Sequence, residues 1–387
     1  MSLIKAINMV KNFFTLVLSL FLCWMGINYY LYHITAVDGR TRVLAHQEEW
    51  NITPDIVHNI APQSYARNVV HPSFIDALPP SIAFPLGGVP NVRVIYCEED
   101  EGWHIEKNDR YGFFNPDMAW EQPIDVALLG DSFAQGACTN HHIRYWYDKL
   151  SGENIVSMGM GGNGTLIEYA GFRELLQSNK TPNKIFWLIV ANDITDLSAE
   201  LRTPILHRYL TDDSFTQNYF ELDFSEYTKN ALALVPKYLK SNSGNIQFSR
   251  DKIKPEFPKI LNGFYLRLRI EKFKKLLAWK KSLSEKKDDL VGDALERARV
   301  LAIQEKNNLE TMKNIFKRSK DEADLASVEL EFVFIPSASH CYTNTFPNHF
   351  LELEKFFDKE KISYFRGHEI LEESFCASLF ATKRGGI

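Results

Sequence analysis

Three turns in this sequence each follow a short apolar run, and their residue types suit acyl transfer. Ser132 follows the run Val126–Leu129 in "VALLGDSFAQG", Gly162 lies in the cluster "GMGGNG" after the run that begins at Ile155, and Asn192 follows "KIFWLIV". A serine hydroxyl becomes a nucleophile when a base removes its proton, and acyl transfer needs donors aimed at the developing oxyanion. Ser132 is therefore the candidate nucleophile. The backbone N–H groups of Ser132 and Gly162 and the side chain of Asn192 are the candidate oxyanion donors.

These residues can meet only if the runs before them form neighbouring strands. Short runs that are apolar throughout and alternate with helix-like stretches are typical of parallel sheets covered on both faces. The sequence therefore predicts an α/β fold with a parallel sheet of about five strands. The five runs are Val126–Leu129, Ile155–Val156, Lys184–Val190, Val328–Pro336 and Ile362–Phe365. Ligands bind outside the carboxyl ends of such strands, which is where the candidate residues fall.

The same three segments resemble the conserved blocks of the SGNH/GDSL hydrolase family. "GDSFAQG" is similar to the first block, "SMGMGGNGT" to the second and "VANDITDL" to the third, although Val190 stands where the third block usually has glycine. The wider stretch from Tyr111 to about Gln217 resembles membrane-anchored bacterial SGNH proteins of uncharacterised function. The resemblance implies a flavodoxin-like three-layer α/β/α sandwich. It also implies that Ser132 is the nucleophile and that Gly162 and Asn192 are oxyanion donors.

The catalytic base is the part of that pattern that this sequence lacks. The family carries an Asp and a His near the C-terminus, usually as Asp-x-x-His, but no such motif follows Val328 here, and the chain ends in "SLFATKRGGI". His340 in "PSASHCY" and His368 in "FRGHEI" each follow a predicted strand and are candidate bases. Each also fits an ordinary loop histidine, and Ser132 taken alone fits a helix N-cap. We therefore expect the Asp/His block to be missing.

Two functions fit this pattern. The first is an SGNH-type serine esterase that hydrolyses O-acyl esters, such as O-acetyl esters, of a carbohydrate. The second is a catalytically impaired or truncated SGNH-like protein that binds a glycan or takes part in polysaccharide assembly. Neither needs an organic cofactor or a metal, and the sequence has no C-x-x-C or Cys/His metal spacing. The net charge of -5 argues against a nucleic-acid partner.

The N-terminal residues predict a membrane anchor. Residues 13–32 contain no charged side chain, and that length spans a bilayer as a helix. Lys5 and Lys11 favour a cytoplasmic N-terminus, residues 1–12. The alternative is a cleaved signal peptide, but the run is long for one. The sequence thus predicts a single-pass protein of the bacterial inner membrane, with the bulk of the chain in the periplasm.

The rest of the 387 residues divide into two parts. Residues 33–90 read as a stalk and an irregular N-terminal extension, and residues 91–387 as the hydrolase-like domain with a helical insertion at about 200–325. Within the insertion, residues 267–287 carry nine Lys or Arg against two acids. Such a segment suits anionic lipid or an acidic polymer, or it is the solvated face of a helical hairpin. Outside the cytoplasm a disulfide among Cys97, Cys138, Cys341 and Cys376 is allowed.

Overall fold

The structure is a computed structural model, which describes residues 15, 17–27, 56–58, 61–67, 78, 84–99, 102–136, 139, 142–241, 287–335 and 346–367. The chain divides into two compact units, Met1–Thr53 with Lys237–Arg299 and Pro54–Pro236 with Val300–Ile387. In the first unit, residues 17–27 are helical, as are the described residues of 237–241 and 287–299. The second unit carries the sheets and all the candidate residues that the structure describes.

In the described part of the chain, eight strands form two sheets. They are β1 Ile56–His58, β2 Arg93–Glu99, β3 Gly102–Lys107, β4 Val126–Leu129, β5 Ile155–Ser157, β6 Lys184–Ile189, β7 Glu329–Phe334 and β8 Tyr364–Arg366. The larger sheet has the order β5-β4-β6-β7-β8, and every neighbouring pair in it is parallel. This confirms the predicted α/β fold with five parallel strands, because each of the five apolar runs supplies one strand.

The strand order changes direction at β4. The chain passes from β4 to β5 on one side and then returns to β6 on the other side, so that Leu128 pairs with Ser157 of β5 and Phe186 of β6. Connections that leave in opposite directions open a gap outside the carboxyl end of the central strand. Ser132 lies just beyond that strand end, after Gly130 and Asp131.

Nine helices in the described part of the second unit or at its borders connect the strands. They are α1 Pro62–Ala66, α2 Ser132–Gln135, α3 Ile143–Ser151, α4 Thr165–Leu176, α5 Asp193–Glu200, α6 Pro204–Thr211, α7 Ser225–Ser241, α8 Lys287–Ala326 and α9 Asn348–Glu360. Short 3₁₀ turns cover Asp117–Glu121 and Tyr219–Glu221. The region predicted as a helical insertion thus contains α6, α7 and α8. The basic segment 267–287 lies outside the described residues, apart from the backbone of Lys287 at the start of α8.

At β4 and β5 both faces of the larger sheet are buried, since successive side chains point to opposite sides and every residue of these two strands is buried. On one face Leu128 and Leu188 pack with Ala134 of α2. On the other face Trp187 contacts the rings of Phe172 of α4, Phe316 of α8 and Phe332 of β7, at centroid distances of 5.5–5.8 Å. Burial on both faces explains why these strands read as continuous apolar runs.

Parts of the predicted stalk and extension belong to the second unit. In the smaller sheet β1 pairs parallel to β2, and β2 pairs antiparallel to β3. Phe84, Leu86 and Val89 are buried. The Gln217 side chain accepts a hydrogen bond from the N–H of Phe84 and donates one to its carbonyl oxygen. The unit that holds the larger sheet therefore starts at Pro54, upstream of the boundary at residue 90 that the sequence suggests.

The predicted anchor, residues 13–32, is described only at residues 15 and 17–27, which are helical. Among the described residues of the chain, no helix is both long enough and apolar enough to cross a membrane. The anchor stays a prediction. Of the cysteines considered for a disulfide, Cys138, Cys341 and Cys376 lie outside the described residues.

Candidate active site

Ser132 is the first residue of α2, which begins two residues after β4. The turn requires Gly130, whose φ is +143° and where a Cβ would lie 3.0 Å from Ala134 and 3.1 Å from Leu188. Asp131 is the N-cap of α2, and its Oδ1 accepts a hydrogen bond from the N–H of Phe133 at 2.9 Å. The Ser132 side chain is half-buried. Ser132 therefore follows a tight turn and keeps part of its side chain open to solvent.

The glycine cluster after β5 lies against α2. At Gly159 a Cβ would fall 2.2 Å from the backbone nitrogen of Gln135, so only glycine allows this approach. The N–H of Gly161 donates to Gln135 Oε1 at 2.8 Å, and a Cβ at Gly161 would lie 3.9 Å from Ser132 Cβ. The structure thus sets Gly161 beside Ser132. Gly162, the predicted donor, is the next residue and has a φ of +77°.

Asn192 and Ser132 meet at one oxygen atom. Ser132 Oγ donates to Asp131 Oδ2 at 3.3 Å, and Asn192 Nδ2 donates to the same oxygen at 3.4 Å. Asn192 Nδ2 also donates to Asp196 Oδ2 at 2.9 Å. Two of the predicted site residues, from the ends of β4 and β6, are therefore brought together by an aspartate that the sequence did not single out.

Buried carboxyl groups surround this contact. Burial raises the pKa of Asp131, against the hydrogen bonds from Phe133, Asn192 and Ser132. Burial raises the pKa of Glu168 of α4 and of Asp193 of α5 well above their usual values, and the charge of Asp131 adds to both shifts. Because carboxyl groups favour the neutral form where water is excluded, the surroundings of Ser132 hold protons more tightly than a surface would.

A further buried acid, Glu200, fixes the glycine cluster. Glu200 of α5 accepts from the N–H groups of Gly164 at 2.6 Å and Leu166 at 2.9 Å, at the start of α4. Burial raises the pKa of Glu200 to about 7, and these hydrogen bonds oppose the shift. A carboxylate at the N-terminus of a helix satisfies N–H groups that have no partner in the helix. Glu200 thus ties the turn after β5 to the helix after β6.

The short helix α1 also reaches the site, which sequence reasoning missed. Gln63 Nε2 donates to the backbone carbonyl of Asp196 at 3.1 Å, and its Cγ lies 3.7 Å from where a Cβ at Gly162 would stand. The Arg67 guanidinium forms an ion pair with Asp196 Oδ1. Pro62 at the first helical position is a local signal for the helix, but nothing local relates α1 to Asn192 and its neighbours.

The two predicted candidate bases, His340 and His368, lie outside the described residues. The structure adds His349 of α9, whose pKa is lowered by burial, against Glu305 and the backbone of Ala191. Its Nδ1 lies 3.7 Å from Glu305 Oε1. His349 is therefore at the strand edge that carries Asn192, because Ala191 is the residue before Asn192. The sequence "PNHF" gave no signal for this position, since it follows no apolar run directly.

Within the described residues, no group of three or more His, Cys, Asp or Glu side chains is arranged to hold a metal ion. The acids near Ser132 instead contact N–H groups, a hydroxyl group and amide groups. The arrangement therefore places the Ser132 hydroxyl group beside the Asp131 carboxylate, with the Asn192 amide and the glycine cluster next to them.

No family model, curated protein or solved structure matches this chain.

Proposed function

We propose that the chain is an SGNH-type serine ester hydrolase that acts on O-acyl esters, including O-acetyl esters, of a carbohydrate. The observation that carries the proposal is the contact of Ser132 Oγ and Asn192 Nδ2 at Asp131 Oδ2, with Gly161 alongside Ser132. A nucleophile, an amide donor and a glycine turn at three neighbouring strand ends are the parts that acyl transfer requires. The strand order β5-β4-β6-β7-β8 supports the flavodoxin-like arrangement that goes with this family.

In this proposal Ser132 Oγ attacks the acyl carbonyl carbon. The negative charge that develops on the carbonyl oxygen is held by the N–H groups of Ser132 and Gly162 and by Asn192 Nδ2. Asn192 is exposed, so its amide can turn from Asp131 and Asp196 toward a bound ester. The alcohol leaves, and water then releases the acyl group from Ser132. The remaining parts of the proposal are the N-terminal anchor at residues 13–32 and a periplasmic location.

A fluorophosphonate probe tests the proposal, because it reacts covalently with activated serine nucleophiles. We expect the purified full-length chain to be labelled and Ser132→Ala to lose labelling to background. Ser151→Ala is the matched control, since Ser151 is an exposed serine whose hydroxyl donates to the Tyr147 carbonyl in α3. Release of acetate from an acetylated oligosaccharide, compared for the same three proteins, tests the substrate class.

The alternative function is a glycan-binding or polysaccharide-assembly protein without catalysis. It predicts that the unchanged chain shows no Ser132-dependent labelling. The chain must also be folded, which is shown if it unfolds as cooperatively as the Ser132→Ala variant. The alternative also predicts that the unacetylated oligosaccharide binds as well as the acetylated one. That pair of results would exclude the hydrolase.

A further inference from the structure

The geometry around Ser132 points to a base that the sequence did not assign. Asp131 is 2% exposed, and its carboxyl group is held from both sides. Oδ1 is fixed by the N–H of Phe133 at 2.9 Å, which leaves Oδ2 facing Ser132 Oγ at 3.3 Å. A general base must lie within hydrogen-bond reach of the proton that it takes, and such contacts are often long before substrate binds. Oδ2 meets that requirement.

We propose that Asp131 is the general base of this site, a proposal that rests on the hydrolase function above. Asp131 Oδ2 takes the proton of Ser132 Oγ as the bond from Oγ to the acyl carbon forms. The protonated carboxyl group then gives this proton to the alcohol oxygen as the ester C–O bond breaks. In the second half, Asp131 takes a proton from the attacking water and returns it to Ser132 Oγ, so the enzyme ends as it began.

Asn192 links the base to the oxyanion. In the free protein its Nδ2 donates to the Asp131 carboxylate at 3.4 Å. Hydrogen bonds to charged acceptors are roughly twice as strong as those to neutral ones. When Asp131 takes the proton, its carboxyl group becomes neutral and the negative charge develops on the carbonyl oxygen of the ester. The Asn192 amide then makes its stronger hydrogen bond to that oxygen. The same proton transfer therefore activates Ser132 and frees a donor for the oxyanion.

The charges near Asp131 favour the protonated form that the step produces. Among the described residues, the titratable groups around it are Glu168 of α4 and Asp193 of α5, whose pKa values its charge raises, and Asp196 of α5, which shares the Asn192 amide with it. Burial raises the pKa of Asp131, so its carboxylate is a stronger base than an exposed one. Arg67 compensates Asp196 rather than Asp131, because its ion pair is with Asp196.

The test is the rate of fluorophosphonate labelling of the full-length chain between pH 4 and pH 9. Asp131→Asn keeps an oxygen for the N–H of Phe133 but removes the base, and we expect labelling to slow about 100-fold or more. We also expect the rise of the rate with pH, which follows ionisation of Asp131, to disappear. Asp131→Ser is the second variant, since serine also caps helices well. It should show the same loss.

Asp125→Asn is the matched control. Asp125 stands at the other end of β4, where its Oδ2 accepts from the N–H of Asn154 at 2.8 Å, and its variant should label within about threefold of the unchanged chain. His340→Gln, His349→Gln and His368→Gln should do the same, since these histidines have no part in the step.

Three outcomes would overturn the proposal. If Asp131→Asn and Asp131→Ser label within about threefold of the unchanged chain while Ser132→Ala does not label, the hydrolase stands and Asp131 is not its base. The same conclusion follows if one of the histidine variants loses labelling about 100-fold. If the unchanged chain shows no Ser132-dependent labelling, the hydrolase and the base both fail.

Discussion

Two buried acidic sites in the second unit differ in how their oxygens are satisfied. Asp109 accepts four hydrogen bonds, from the N–H groups of Tyr111 and Phe113 and from the side chains of Asn115 and Trp120, all at 2.7–2.9 Å. Near Ser132, by contrast, Glu168 Oε1 and Asp193 Oδ1 are buried without a hydrogen-bond partner among the described residues. Their other oxygens each accept one hydrogen bond, from Trp187 and from Val190 respectively.

The difference separates carboxylates that fix the groups around them from buried carboxyl groups that resist ionisation. A buried carboxylate with every oxygen occupied fixes the groups around it, as Asp109 does for the turn before β4. A buried carboxyl group with an unoccupied oxygen is costly to ionise. Acids of that kind lie around the half-buried Ser132, and strongly perturbed pKa values of this sort cluster at functional sites. Ionised Glu168 and Asp193 therefore cost stability, whereas the four hydrogen bonds of Asp109 oppose the effect of burial, which raises its pKa to about 6.

Asp109→Asn should have the largest effect on stability. Both oxygens of Asp109 now accept from N–H groups. The asparagine NH₂ group would replace one of these oxygens and face donors, so at least one buried N–H would lose its partner. Each such loss costs about 1–3 kcal/mol, so we expect the free energy of unfolding to fall by about 3 kcal/mol. Urea titration followed by tryptophan fluorescence measures this. A loss below about 0.5 kcal/mol would show that the four hydrogen bonds contribute little.

Much of the fold was predictable because its signals are local. Each of the five apolar runs is a strand of the larger sheet, and Ser132 and Asn192 follow β4 and β6 as the sequence indicates. Their contact follows from the pairing of β4 with β6, since carboxyl ends of adjacent parallel strands share an edge. Strand ends thus bring site residues together without any specific long-range signal.

The rest of the site depends on contacts that no local pattern encodes. Gln63 and Asp196 are 133 residues apart, and the polar segment that contains Gln63 has the composition of a stalk. Glu168 and Asp193 are buried, although acids are mostly exposed in proteins, so composition places them at the surface. Only the packing of α4 and α5 against the sheet removes them from water.

Glu168→Gln should have the opposite sign to Asp109→Asn. The folded pKa of Glu168 lies well above its ordinary value of 4.5, chiefly through burial. For a raised folded pKa, the stabilising contribution is complete below about pH 4.5 and is lost as pH rises through the folded value. Glutamine removes this loss and keeps an acceptor for Trp187 Nε1, now bonded at 2.7 Å. We expect the variant to gain about 1 kcal/mol at pH 8 and almost nothing at pH 4.

Glu174→Gln is the control for that prediction, because Glu174 lies on the same helix and has both oxygens occupied. It accepts from the hydroxyl groups of Tyr209 and Thr216 and from the N–H groups of Gln217 and Tyr219. Its variant should lose stability at both pH values, as Asp109→Asn does. If Glu168→Gln also lost stability at pH 8, the contrast between saturated and unsaturated acids would be wrong.

Arg67→Ala should have the smallest effect on stability and a selective effect on the site. Half of the Arg67 side chain is exposed, and ion pairs in contact with solvent contribute about 0–1 kcal/mol. Asp196 Oδ2, however, accepts from Asn192 at 2.9 Å. Without Arg67, an uncompensated Asp196 would hold the Asn192 amide more strongly and compete with the oxyanion. We therefore expect labelling of Ser132 to slow by about fivefold, a change of about 1 kcal/mol.

Arg110→Ala is the matched control for Arg67→Ala. Arg110 is also partly exposed and forms ion pairs with Asp117 and Glu121 in the turn before β4. Its loss should cost similar stability without changing the labelling rate. Arg67→Lys keeps the positive charge and should restore most of the rate, because compensation of Asp196 needs charge more than geometry. If Arg67→Ala and Arg110→Ala slowed labelling equally, α1 would stabilise the unit without acting on Asn192.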